Sequence, residues 1–174
     1  MTKEKREYVL LPFVCAIDSR EQFPFTFRGL TADADKGKLP LVVPVETRTL
    51  KTGDYSIVSL EDEVCIERKS LADLYSTLCE GRERFIRELE RMQEFKYSAI
   101  VCEADWNTII NNPPGHTKFS PKSVYRSILS WSVRFPKTHF WPCYSRAFAE
   151  HTTLRLLEKY WKHREKSMPN SIDT

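Results

Sequence analysis

The sequence predicts one α/β domain, a mixed β-sheet with helices on both faces. Short apolar, partly β-branched runs of strand length alternate with stretches whose apolar residues recur at helical spacing. Strands come first, and helix and strand then follow in turn. The 174 residues, 41% of them hydrophobic, supply one substantial core and little room for a second. This composition excludes a disordered chain and a small disulfide-stapled one.

Phe13 to Ile17 is apolar and ends at Asp18, which reads as a buried strand. Glu21 to Pro40 gives no clear period: Phe23, Phe25 and Phe27 alternate, then Thr31 to Lys38 is polar. Leu41 to Thr49 is extended, because Pro40 and Pro44 limit helix. Gly53 marks a turn into a strand over Tyr55 to Leu60. Glu61-Asp62-Glu63 is a charged turn, and Val64 to Lys69 the returning strand. Ser70 to Cys79 and Arg82 to Phe95 are helical, separated by Gly81. Tyr97 to Glu103 is again a strand, and Asn111 to Gly115 a loop. Ser120-Pro121 opens a helix with proline at its first position. Its apolar stripe is Val124, Ile128, Trp131 and Phe135. Thr138 to Cys143 is the last strand and Ala147 to Arg164 a final amphipathic helix. The expected domain is therefore 8–164, with flexible tails over 1–7 and 165–174.

The net charge of +3 and the pI near 8.6 do not by themselves mark a nucleic-acid binder. The sum hides an asymmetry, since Lys118 to Arg146 holds six basic residues and no acidic one. Five scattered cysteines without a C-x-x-C pair read as reduced, packed thiols, not as a zinc site. The charged N-terminus lacks a signal-peptide core, and no apolar run is long enough for a membrane helix. An intracellular protein, cytoplasmic or nuclear, is expected.

Chemistry concentrates between residues 53 and 73. The hairpin turning at 61–63 places Asp54 near one end and Glu67 near the facing position. Glu67 and Lys69 stand two apart on a strand, so both point to one face. Two carboxylates bind a hard cation such as Mg²⁺, and an adjacent lysine stabilises a charged phosphate. Glu-x-Lys also decorates many solvated strands, and aspartate after glycine is a common turn residue. Arg68 alternates to the opposite face, open to ion pairing or to phosphate. Ser70-x-x-Asp73 has the form of a capping box.

Glu67-Arg68-Lys69-Ser70-Leu71-Ala72-Asp73 resembles the E-R-K-x-x-x-D signature of the XPF-type nuclease family. Gly53-Asp54-Tyr55 is similar to its G-D-Y, and Asp18-Ser19-Arg20-Glu21 to its D-x-R-E. Val45-Glu46 ahead of Leu50, Gly81-Arg82 opening a helix, and the strand to Glu103 fit as well. The resemblance covers roughly Tyr8 to Arg164. It implies a restriction-endonuclease-like fold and metal-dependent endonuclease action on branched or flapped DNA, in repair, recombination or replication. By the same resemblance Asp54 and Glu67 are metal ligands for Mg²⁺ or Mn²⁺, with Asp18 an auxiliary acid supported by Arg20 and Glu21. Lys69 is the catalytic lysine, Arg68 the signature arginine and Asp73 the closing aspartate.

Arg84, Arg87 and Arg91 form a basic stripe whose helix also carries Glu83, Glu88, Glu90 and Glu94, the pattern of a solvated, ion-paired face. Arg82 and Arg84, nearest the expected active site, are the expected phosphate contacts, with Arg20 also expected to bind DNA. Lys118, Lys122 and Arg126 recur at spacings of four, where they could follow a DNA backbone, a partner or only solvent. About ten residues follow the last helix, so no helix-hairpin-helix module is expected on this chain. Homodimer or heterodimer pairing is then expected, with Phe140, Trp141, Leu154, Leu157 and Trp161 as the apolar surface. The competing readings are a non-catalytic DNA-binding or scaffold subunit and a sequence-specific restriction enzyme.

Overall fold

The computed structural model describes residues 7–34, 37–115, 117 and 119–167. The strands are β1 (Val9–Leu10), β2 (Cys15–Asp18), β3 (Thr31–Ala34), β4 (Gly37–Val42), β5 (Val45–Arg48), β6 (Tyr55–Ile57), β7 (Val64–Lys69), β8 (Tyr97–Cys102) and β9 (Thr138–Pro142). The helices are α1 (Leu71–Cys79), α2 (Arg82–Met92), α3 (Trp106–Asn111), α4 (Pro121–Arg134) and α5 (Arg146–Ser167). Six strands form the main sheet in the order β5-β2-β6-β7-β8-β9, and β1-β4-β3 form a smaller one. The main sheet is mixed: β6 runs antiparallel to β2 and β7, and the other pairs are parallel.

Strand alternation divides the apolar side chains between two cores. Val64 and Ile66 face α5, packing with Phe13, Val101, Leu154 and Leu157. Cys65, Ile100 and Cys102 face the other helices, against Leu74, Phe85, Leu89, Val124 and Trp131. Leu154 and Leu157 are fully buried, which removes them from the pairing surface expected from the sequence. A helix lying on a sheet spends its apolar stripe there. Trp161 likewise packs on Phe13, at 6.1 Å between ring centres.

Several features go beyond the sequence reading, the short strand β1 among them. The polar segment after Thr31 is a β3–β4 hairpin, ending where Val43-Pro44 interrupts the extended run. The short helix α3 follows the N-cap Asp105, whose carboxylate accepts the Thr108 N–H at 2.7 Å. Helix α5 continues through Ser167, three residues past its expected end. All five cysteines are free thiols, four of them buried.

Gly53 fixes the approach of β6 to β7. Its φ is +79°, and a Cβ there would stand 3.1 Å from the Ile66 carbonyl oxygen and 3.2 Å from the Cys65 Cβ. Both the left-handed backbone and the close passage exclude a side chain. Gly53→Ala is expected to lower stability by about 2 kcal/mol or more, given roughly 1–2 for the backbone alone. Urea denaturation should show this as a lower midpoint with an unchanged slope; an unmoved midpoint would mean that the turn relaxes freely.

Candidate active site

Backbone pairing at the end of β6 delivers Asp54 to β7. The Asp54 N–H donates to the Ile66 carbonyl at 2.8 Å, and the Asp54 carbonyl accepts the Asp18 N–H at 2.8 Å. Its carboxylate turns toward β7, where Oδ2 accepts the Arg68 N–H at 2.7 Å. Glu67 is buried on the α2 side of the sheet. The Lys69 ammonium lies 2.5 Å from Glu67 Oε1 and 4.7 Å from the centre of the Phe85 ring.

Asp54 and Glu67 line a polar cleft of about 150 Å³, with Asp18, Arg20, Lys51, Glu88 and Arg91 among its other walls. Burial, and then the charge of Glu67, push the Asp54 carboxyl up to about 8. Glu88 is raised to about 7 by burial and then by Glu67, with which it shares a hydrogen bond. Burial alone would lower the Lys69 ammonium; the charges of Glu67, Glu88 and Asp54 outweigh it and hold the group raised. Lys69 therefore stays cationic, which suits it to stabilise negative charge and not to accept a proton.

Asp18 is buried with both oxygens engaged. Oδ1 accepts the Arg20 N–H and Nε–H at 2.7 and 3.0 Å; Oδ2 accepts Arg20 Nη2–H at 2.6 Å and the Leu50 N–H at 3.3 Å. Burial would raise this carboxyl, and the Arg20 bonds overcome that to hold it below the ordinary range. Arg20 remains about two-thirds exposed at the mouth of the cleft.

Arg68 crosses to the α5 side of the sheet. Its guanidinium bonds Glu103 at 2.6 Å and Glu21 at 3.3 Å, all three side chains being nearly enclosed. Arg146 joins Glu103 at 2.6 Å and also donates to the Phe23 and Pro24 carbonyls. The Phe25 ring lies 5.7 Å from the Arg68 guanidinium carbon and 4.9 Å from that of Arg146, a cation–π contact with each. Phe25 also stacks on Tyr55, whose hydroxyl accepts the Phe25 N–H at 2.8 Å. Arg68 and Tyr55 thus anchor the loop after β2 that carries Arg20.

Other residues singled out in the sequence lie apart from the cleft. Asp73 serves the N-cap of α1: its N–H donates to Ser70 Oγ, and that hydroxyl donates back to Asp73 Oδ2 at 2.6 Å. Glu46 is exposed on the edge strand β5 and pairs with Arg48. Arg82 bridges α2 to Ser127 on α4 at 3.0 Å, while Arg84, Lys122 and Arg126 are exposed. Lys118 lies outside the described residues. Glu88, read in the sequence as part of a solvated face, stands instead in the cleft. Its signal was its place three after Phe85 and four before Met92, both of them buried.

The ERCC4 domain family model matches residues 17–155, a span that includes every one of these cleft residues. The chain belongs to the ERCC4 domain family. No curated protein matches it in sequence. The fold of this ERCC4 domain is that of XPF from Aeropyrum pernix, at 18% identity and a TM-score of 0.63 over 87% of this chain and 67% of that one. XPF from the same organism in complex with DNA matches at 19% identity and a TM-score of 0.58, over 92% and 68%.

Two measurements probe this electrostatic arrangement. Asp54 titrates near ~3.9 when unfolded and near 8 here, so the folded protein holds the proton more tightly. That contribution is full below pH ~4 and is lost as pH rises through 8. In metal-free buffer, Asp54→Asn should match the wild type near pH 4 and melt higher at pH 9, by roughly 2–4 °C per kcal/mol regained. A constant difference across this range would contradict the raised carboxyl. Arg68→Ala leaves Glu21 enclosed without its cation and Glu103 with Arg146 alone, and should cost about 3 kcal/mol in urea denaturation. A cost below 1 kcal/mol would show that the network carries little of the fold.

Proposed function

We propose that this ERCC4 domain is an endonuclease that hydrolyses phosphodiester bonds of branched or flapped DNA with Mg²⁺, for which Mn²⁺ can substitute. The observation that carries this reading is the convergence of Asp54 and Glu67 in one polar cleft, with cationic Lys69 paired to Glu67. XPF from Aeropyrum pernix has been solved in complex with DNA, and the shared family and fold support DNA as the partner.

Asp54 and Glu67 are the residues that would hold the cation. Their excess negative charge and hard oxygen donors fit Mg²⁺, which keeps several waters. The cleft has room for about five waters at ~30 Å³ each. When bound, the cation would lower the pKa of a water and offset phosphate charge.

The protein's own groups divide the remaining work. Lys69, held as an ammonium, stabilises charge that develops on the phosphate oxygens. Glu88, raised by burial and by the charge of Glu67, stands beside that carboxylate in the cleft. Arg20 and Arg91 present guanidinium groups to the phosphates that flank the scissile one. Asp18 positions Arg20. Arg82, Arg84, Lys122 and Arg126 add a sequence-independent attraction to the backbone. Pairing, as a homodimer or heterodimer, belongs to the same reading: β9 is the outer strand of the sheet, and Leu129, Val133 and Trp141 are exposed on α4 and β9.

Labelled flap, fork and plain duplex DNA incubated with Mg²⁺ should be cut by the wild type at the branched substrates. Asp54→Asn should cut them about 10³-fold more slowly, the several kcal/mol that a Lewis-acid cation contributes. Cutting that persists in the variant would remove Asp54 from the chemistry. Salt-dependent binding without cleavage in any metal would identify a DNA-binding subunit, and fixed-site cutting of plain duplex a restriction enzyme.

A further inference from the structure

We propose that Tyr144 and Phe148 form a stacking platform for an unpaired base of the DNA cut at the Asp54–Glu67 cleft, which makes a single-stranded flap part of what the protein recognises. The proposal rests on the nuclease reading and extends it to the substrate.

Tyr144 and Phe148 stack with ring centres 4.5 Å apart and planes 26° from parallel. Phe148 in turn faces His151 at 6.3 Å and 23°, so three rings form a column along the start of α5. Tyr144 ends that column. It is 69% exposed, and among the described residues Phe148 is the only ring packed on it. The Phe148 N–H donates to Ser145 Oγ at 3.2 Å, which fixes the chain between the two rings. A rigid aromatic face of this kind stacks a base at small entropic cost, and does so whatever the base.

The platform stands at the same end of the sheet as the cleft. Lys69, Cys102 and Pro142 are the last residues of three parallel strands and are in register with one another. The Glu103 N–H donates to the Lys69 carbonyl, and the Cys143 N–H to the Cys102 carbonyl. Two strand spacings separate the ends of β7 and β9, about 10 Å, and Tyr144 follows Pro142 by two residues. On the α5 side of the sheet, Arg146 at the start of α5 joins Glu103 and the carbonyl of Phe23, itself an exposed aromatic, in the loop after β2 that also carries Arg20.

Charge separates the roles of the two places. The cleft carries Arg20 and Arg91, which suit phosphate. Near the rings the acids are engaged: Glu103 by two arginines, and Glu150 by the Phe27 N–H and the Thr26 hydroxyl. An apolar face in locally compensated surroundings suits a base that has left its stack. Burying the outer face of an otherwise wet tyrosine also returns the hydrophobic free energy of its exposure.

Binding is measured in EDTA with two fluorescent substrates, a duplex bearing a single-stranded thymidine flap and the same duplex without it. Cleavage in Mg²⁺ is followed in parallel, with Asp54→Asn as a control. The double variant Tyr144→Ala, Phe148→Ala should bind the flapped DNA about 5- to 100-fold more weakly, as expected from losing one stacked base. Its affinity for the flapless duplex should stay within about twofold of wild type, the scatter usual for surface changes. Tyr144→Trp should retain flap affinity, and Tyr144→Leu, apolar but without a π-face, should lose it. Undiminished flap binding by the double variant, or a Leu variant equal to wild type, would overturn the platform and leave the nuclease reading intact. Equal weakening on both substrates with an altered oligomeric state would make the rings a protein contact and overturn it too. If the variants behave as expected but Asp54→Asn cuts normally, the platform stands and the cleft assignment falls. A wild type that binds neither DNA would end both.

Discussion

Two hydrogen bonds at the end of β6, from the Asp54 N–H to the Ile66 carbonyl and from the Arg68 N–H to Asp54 Oδ2, force a carboxylate against the strand that carries Glu67. Water would keep such like charges apart, whereas here both are drawn out of it. The consequence is the upward displacement of Asp54 and Glu88, and the retention of the Lys69 proton. The Gly53 backbone makes the approach possible, because any Cβ would meet β7. The two apolar cores, one on each face of the sheet, supply the stability against which this repulsion is set. A strained polar cleft is tolerable only where the surroundings over-determine it.

The period of two along β7 then assigns opposite tasks to neighbouring residues. Glu67 faces the cleft, Lys69 pairs with it on the same side of the sheet, and Arg68 between them faces α5. An enclosed arginine would be costly alone, but Glu21 and Glu103 compensate it, and Arg146 closes the chain of charges. One consecutive triplet therefore builds the chemistry on one side and anchors a loop on the other. That loop carries Arg20, which in turn occupies Asp18. Signature residues that look equivalent in sequence thus differ in kind: some touch the cleft, and others hold the groups that do.

The alternation of the strands, the helix starts at Ser70 and Pro121, and the hairpin around residues 61–63 were legible because each is a local property of the chain. What stayed hidden depends on partners distant in sequence. The β3–β4 hairpin has little apolar alternation, since much of its surface meets solvent. Glu88 looks like an ordinary helical acid until the fold turns that side of α2 toward β7. The direction of Arg68 followed from strand period, but Glu21 and Glu103 lie 47 and 35 residues away from it in the chain. Leu154 and Leu157 suggested an interface, yet an amphipathic stripe reads the same against a sheet as against a partner.

The electrostatics of the cleft also join stability to ligand binding. Burial and the neighbouring Glu67 charge oppose ionisation of Asp54, so folding is opposed by the ionisation that the proposed chemistry needs. A cation between the carboxylates removes that opposition, and its binding free energy enters folding directly, as RT ln(1 + [L]/Kd). Affinity should rise with pH, because the cation competes with the proton on Asp54. Phosphate adds negative charge to the same small volume and is admitted most easily once a cation is present. Cation and DNA would then bind cooperatively, without any change of conformation.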